Sequence, residues 1–380
     1  MRKTAVAVAA LFFTNGAAFA SWAPRIPELA DRIGVDLAGL GLTLLMMGVG
    51  GLVGTGPAGR LIDRFGSRRV AIAGAVAVSV AVAGMGLARS PMALGMILLI
   101  VGAADVSADL GMNAQAVAVQ IRGSSAINRL HGLWSIGTVA GGSIGAAAAG
   151  AGISIESHLL VVGTLMAGVA WASNRGLADT ATSPPPESEA PSSTRPMVLL
   201  GLLGLAAAFL EAPGAEWSAT FIDDAFGSGP ATAALGFVAF TAGMTVSRLV
   251  GDSIATRWGA TRSFTGSLPV AAAGWTAVVI APGPVVAIAG FAVAGLGTGM
   301  IFPQLYASGA SGVLVSQGRG LSAMSFGARL GFLLVTPSVG LLGSRIGLDA
   351  ALAWIMAPVL VALFVLGRRG ATTARLHKRS

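Results

Sequence analysis

About twelve apolar stretches, each near the 20 residues a helix needs to cross the hydrocarbon core, constrain this chain more than any other feature. They fall at 4–24, 39–59, 69–88, 92–116, 132–152, 156–174, 196–221, 231–255, 264–281, 284–307, 322–343 and 349–368. None shows the alternation of a barrel strand, so helices are the better reading. Only 11% of the residues are charged, against roughly 25% in soluble domains. A soluble enzyme and a disordered chain are both excluded. No cysteine is present, which removes disulfide frameworks, thiolate metal sites and cysteine nucleophiles. The three histidines, His131, His158 and His377, lie too far apart in sequence to read as a metal cluster, and no cofactor is expected. The chain reads as an integral membrane protein.

The first stretch has a competing reading. Met1-Arg2-Lys3, an apolar run and Ala18-Phe19-Ala20 before Ser21 also fit a secretory leader with its cleavage site. Retaining it as helix 1 keeps the span count even and the two halves alike. Between the sixth and seventh spans, Pro184-Pro185-Pro186-Glu187-Ser188-Glu189 sits in a polar stretch of flexible-linker composition. The expected domains are therefore a six-helix lobe over 1–174, a linker over 175–196 and a second six-helix lobe over 197–380. Six plus six is the outline of a two-lobed secondary transporter. With the N-terminus placed in the cytoplasm, most of the 24 Lys and Arg fall on cytoplasmic segments. Only Arg25, Arg32, Arg89 and Arg345 lie outside, while Arg248 and Arg329 lie within spans. The positive-inside bias puts both termini in the cytoplasm, in a bacterial inner membrane. It also accounts for the net charge of +8 without nucleic acid.

Between spans 2 and 3 runs Gly59-Arg60-Leu61-Ile62-Asp63-Arg64-Phe65-Gly66-Ser67-Arg68-Arg69. Gly59 would permit close helix approach, and Gly66 would end the turn in a conformation that glycine tolerates. Asp63 could accept bonds at a helix N-terminus or pair with an arginine, closing a gate whose bonds break on opening. The second half echoes this: aligning Gly66 with Gly259 puts Arg64 on Arg257 and Arg69 on Arg262, but Asp63 falls on Thr256. The loop resembles the G-x-L-x-D-R-x-G-R-R signature of the major facilitator superfamily, with Ser67 in place of the usual Arg or Lys. That resemblance implies an all-α membrane fold of two pseudo-symmetric six-helix lobes, with the loop acting as a gate.

Charged groups at membrane depth are costly and so are functional candidates by default. Span 4 carries Asp105, Asp109 and Asn113 at four-residue intervals on one face, with Gln115 close by. Span 7 carries Glu211 and Glu216 around Pro213-Gly214, which would bend or break the helix. Arg248 and Asp252 stand four apart in span 8 and read as a mutual pair near its cytoplasmic end. Arg329 in span 11, with Arg129 and His131 where span 5 begins, completes the gating candidates alongside Arg68. Asn15 and Gln304 add uncharged polar groups. Trp22 and Trp217 flank interrupted helices, where a ring could stack on a sugar, although interfacial anchoring is the commoner use of tryptophan. Burial penalises the charged form of a carboxyl, the property a proton-coupling group requires. Asp109, Asp105 and Glu211 are the candidates for that role. Asn15, Trp22, Asn113, Gln115, Glu211, Trp217 and Gln304 are those for binding solute.

Asp109-Leu110-Gly111-Met112-Asn113, followed by Asn128-Arg129-Leu130-His131-Gly132-Leu133-Trp134-Ser135-Ile136-Gly137, is similar to spans 4–5 of the fucose-permease-like sugar:proton symporters. The resemblance implies proton coupling at Asp109 and a cavity role for Asn113. Ala114 replaces the usual proline, and no acid stands near Ser21, Trp22 or Ala23. Without an ATP-binding loop, an ion gradient or the solute's own gradient would drive uptake of a small polar solute, a sugar or related metabolite. Proton-driven efflux on the same fold is the alternative; it is disfavoured because span 5 lacks the proline that such exporters pair with glycine. The expected partners are solute, protons and the lipid bilayer, with the chain working as a monomer.

Overall fold

The computed structural model describes residues 2–121, 126–178, 194–310 and 317–377, and every element among them is helical. Most of the expected linker, 179–193, lies outside the described residues, as does the side chain of Asp252. The chain divides into two compact units, one formed by Met1–Pro184 with Ser228–Val238, the other by Pro185–Gly227 with Ala239–Ser380.

In the first unit, α1 (Arg2–Ser21) leads through a short 3-10 turn at Ala23–Arg25 into α2 (Ile26–Ile33). Pro24 and Pro27 account for this interruption, because each lacks an amide hydrogen and fits only a first helical turn. Helices α3 (Leu37–Phe65), α4 (Ser67–Met85), α5 (Pro91–Ile121), α6 (Ala126–Gly150) and α7 (Ile155–Ser173) follow. Asp36 caps α3, its carboxylate accepting the Gly39 N–H at 2.8 Å. Small residues let these helices pack backbone to backbone, as membrane helices do. Helix α3 lies along α5, α1 along α6, and α4 against both α5 and α7. A Cβ on Gly50 would strike the Leu99 carbonyl, and one on Gly102 the Met47 carbonyl. The α3–α5 seam therefore exists only because glycine stands on both sides.

The second unit holds α8 (Thr194–Glu216), α9 (Ser218–Phe226) and most of α10 (Gly229–Trp258). It continues with α11 (Ala260–Val279), α12 (Pro284–Thr298), α13 (Ile301–Ala310), α14 (Gln317–Ile346) and α15 (Leu348–His377). Helix α8 packs along α14, and α11 along α12. Two interruptions fall elsewhere than the sequence implies. Pro213 is absorbed within α8, and the chain breaks at Trp217, whose N–H still reaches the Pro213 carbonyl at 2.9 Å. Pro303 sits in the first turn of α13, where its missing N–H costs nothing; the break comes at Gly299–Met300.

Ten helical segments among the described residues are long and apolar enough to cross a membrane. Helices α6 and α11 hold the places of the other two expected spans. They have 25 and 20 residues but are diluted by glycine, serine and threonine. Those residues are the substance of close packing rather than of lipid contact.

Candidate functional site

The polar groups of α5 meet α1. Asn15, buried on α1, donates its amide to Asp105 Oδ1 at 3.2 Å. Asn15 Oδ1 and the Thr14 hydroxyl are both buried without a hydrogen-bond partner. Asp109 lies one turn beyond Asp105 and Asn113 two; Asn113 Nδ2 donates to the Asp109 carboxylate at 2.8 Å and to the Asp109 carbonyl at 2.9 Å. Asp109 is exposed, whereas Asp105 and Asn113 are half-buried. The four-residue periodicity thus lines Asp105, Asp109 and Asn113 along one face of α5, and Asn15 reaches that line from the neighbouring helix. A carboxylate held by an amide N–H can exchange that bond for a proton or a solute hydroxyl at modest cost.

Glu211 finds its partner on another helix. Arg248 Nη2 stands 3.2 Å from both carboxylate oxygens, so α8 and α10 are joined by an ion pair. The expected pairing of Arg248 with Asp252 lies outside the described residues, because the Asp252 side chain does. Both side chains are largely enclosed, with 23% of Arg248 and 15% of Glu211 exposed. Glu216 accepts the Thr336 hydroxyl of α14.

Trp22 and Trp217 occupy corresponding breaks in the two units, and each is packed rather than open, at 2% and 0% exposure. Neither ring offers a face to solvent in this conformation, so the expected stacking surfaces are closed. Their indole N–H groups are buried without acceptors, as are the Ser218 and Thr220 hydroxyls beside Trp217.

Gln115 needs correction as a solute ligand. It is fully buried, donating to Ser67 Oγ at 2.8 Å and the Ala178 carbonyl at 2.7 Å, and accepting the Ala178 N–H at 3.1 Å. An amide so engaged is a brace. It also explains Ser67, the departure from the loop signature: a long cation would not fit where that hydroxyl meets Gln115.

In the loop itself Gly66 adopts φ +82° and ψ 150°, and Gly259 adopts φ +84° and ψ 149°. These near-identical left-handed conformations make the internal repeat a matter of geometry. Gly59 behaves otherwise, since nothing lies within 4 Å of a Cβ built there. Close helix approach is not its reason for being glycine. Asp63 is exposed, Arg64 lies 5.2 Å from the Phe65 ring centroid, and Arg68 donates to Asn174 Oδ1 at 2.8 Å. Arg129 and His131 are exposed on α6, with the His131 ring edge-on to Phe12 at 5.3 Å. Gln304 is buried on α13 and Arg329 half-buried on α14.

One cluster was missed by sequence reasoning, which assigned Arg25, Arg32 and Arg89 to outer loops. Arg25, only 2% exposed, grips Glu28 at 2.7 and 2.5 Å and donates to the Ile153 carbonyl at 2.8 Å. Glu156 receives Arg32 and, at 3.3 Å, Arg89. Together these bonds tie α2 to the start of α7. The three-residue spacing of Arg25 and Glu28 on an amphipathic helix was the available signal. Among the described residues no group of three His, Asp or Glu could hold a metal ion.

Comparison with known proteins follows the same lines. No family model matches the chain. It is 30% identical over 373 residues to the uncharacterized transporter y4wD of Sinorhizobium fredii, spanning 93% of this chain and 97% of the relative. It is 26% identical to an uncharacterized MFS-type transporter of Yersinia pestis, over 90% of this chain and 89% of that one. The membrane protein MosC of Rhizobium meliloti is 30% identical, over 94% and 88%. Among solved structures, a D-xylose-proton symporter superposes with a TM-score of 0.72 at 13% identity, over 96% of this chain and 95% of its own. The nucleoside transporter NupG gives 0.70 at 12%, over 99% and 98%. With 30% identity across nearly the whole of both chains, a turn glycine repeated in the two halves and a transporter fold, this protein belongs to the major facilitator superfamily of membrane transporters.

Proposed function

We propose that the protein takes up a small polar solute, a sugar or related metabolite, together with protons, by alternating access. The Asn15–Asp105 bond, with Asp109 one turn and Asn113 two turns along the same face, carries this reading. It brings a titratable carboxylate and neutral amides together within membrane-crossing helices, the chemistry that solute hydroxyls and a coupling proton both require. Asp109 is the first candidate for the proton and Asp105 the second. Glu211 is less suited, because its carboxylate is already engaged by the Arg248 guanidinium. Asn15 and Asn113 are the proposed solute contacts. The arrangement operates in a bacterial inner membrane with both termini cytoplasmic, each protein acting as a monomer. The likeness to a D-xylose-proton symporter supports the solute class and the coupling ion.

Proteoliposomes containing the protein or its Asp109→Asn variant test the proposal with labelled sugars under an inward proton gradient. The protein should accumulate solute, while the variant should lose accumulation but keep counterflow exchange. Normal accumulation by the variant would remove Asp109 from coupling. Outward movement of lipophilic cations, with no sugar uptake, would overturn the uptake reading in favour of efflux.

A further inference from the structure

The first unit carries a groove whose lining includes none of the residues proposed above to bind solute or carry the proton. It has a volume of about 410 Å³ between α3, α4 and α5. Its walls are Leu61 and Phe65 of α3, both substantially exposed, and its floor is built from small residues, Gly74, Ala77 and Ala104 among them. The floor is shallow because α4 presses onto α5; a Cβ on Gly74 would lie 2.5 Å from the Ala108 amide nitrogen. One end differs from the rest. Arg69, exposed in the first turn of α4, lines the mouth. Arg64 flanks the wall rather than lining it, its guanidinium 5.2 Å from the ring of wall residue Phe65. From Arg69 to Ala77 the groove follows eight residues of α4, roughly 12 Å along the helix axis at about 1.5 Å per residue.

A trough that is cationic at its mouth and apolar along its length, on helices that cross a membrane, matches one kind of molecule. We propose that this groove seats an anionic phospholipid, its phosphate on Arg69 and Arg64 and one acyl chain along Ala73, Ala77 and Ala104. Charge complementarity selects the occupant. Two guanidinium groups provide planar donors for phosphate oxygens, and the mouth lies at the end of the membrane-crossing segment, where headgroups reside. A zwitterionic lipid would fill the trough equally well but would bring a competing cation to the same mouth. Arg69 thus acquires a role outside the gating set, and Phe65 is held in place as a wall by the cation that helps recruit the headgroup.

The test is native mass spectrometry of the purified full-length protein with chain-matched phosphatidylglycerol and phosphatidylcholine. Phosphatidylglycerol should be retained in preference. Each juxtamembrane arginine contributes on the order of fivefold in anionic-lipid affinity. Arg69→Gln should therefore lose about fivefold and the Arg64→Gln/Arg69→Gln double variant about 25-fold. Ala73→Leu, at an exposed position that tolerates a larger side chain, should reduce retention of both lipids by filling the trough. Inorganic phosphate should not compete, because the acyl chain contributes to binding. Arg262→Gln, which removes a corresponding exposed charge from the second unit, should leave retention unchanged. The proposal is overturned if Arg69→Gln keeps the wild-type preference, if Arg262→Gln loses as much, or if inorganic phosphate displaces the lipid.

Discussion

The ion pair between Glu211 and Arg248 supports the sharpest energetic prediction. With Nη2 3.2 Å from both oxygens, the gross Coulombic attraction is about 5 kcal/mol at an effective dielectric near 20. Desolvation offsets much of that, so the pair as a whole contributes little net stability. Removing one partner is a different matter. Arg248→Met leaves Glu211, with 15% of its side chain exposed, as a carboxylate without its cation. Breaking a buried pair costs about 3–5 kcal/mol, and the residual solvent access here places the loss near the lower figure. Glu211→Gln should cost a similar amount by stranding Arg248. The Glu211→Gln/Arg248→Met double variant removes both charges together. It should be less damaging than the sum of the singles by about 2 kcal/mol. Equilibrium unfolding of the purified protein in micelles, followed by tryptophan fluorescence, completes the double-mutant cycle. Additivity within about 0.5 kcal/mol would refute the reasoning, because the two groups would then not sense each other.

Three further outcomes follow from other contacts. Gln115→Leu should destabilise the first unit by about 1–3 kcal/mol, because the Ala178 amide and carbonyl and the Ser67 hydroxyl lose their partner. Adding Ser67→Ala should cost little more, as unfolding of the single and double variants would reveal. Gly50→Leu forces a side chain into the Leu99 backbone and should separate α3 from α5, with low folded yield on size exclusion, whereas Gly59→Leu faces open space and should fold. At Asp224, partial desolvation and then the Asp349 charge raise the carboxyl above its usual 3.8. The folded state therefore binds that proton more tightly than the unfolded chain does. Its contribution to stability is present below 3.8 and is lost as pH rises through the raised value. Asp224→Asn should flatten this part of the thermal-stability profile, and an unchanged slope would assign the dependence elsewhere.

Much of the site was legible in sequence, and its gaps have a common cause. The alignment of Gly66 with Gly259 needed only spacing, since a left-handed turn residue is specified locally; both glycines take φ above +80°. Asp105, Asp109 and Asn113 share a face because helical periodicity places them there. Partners were another matter. Spacing offers Arg248 only neighbours on its own helix, whereas the structure also gives it the Glu211 carboxylate, 37 positions earlier on another helix. Gln115 reads as a solute ligand because a polar group at membrane depth is functional by default. Its partners, Ser67 and Ala178, lie 48 and 63 positions away. Prolines marked interruptions but not where they fall: Pro213 lies within α8, and the chain turns at Trp217.

Hydropathy is a sum over neighbouring residues, so the sequence by itself determined a helical, membrane-crossing chain whose halves repeat. Handedness at a turn is equally local, which is why Gly66 and Gly259 could be read directly. Which charge meets which, whether a buried amide is a ligand or a brace, and where small residues open a groove beside an arginine all depend on distances between separate helices. Only the tertiary structure decided those, because close packing sets them through side-chain volumes that no single segment contains.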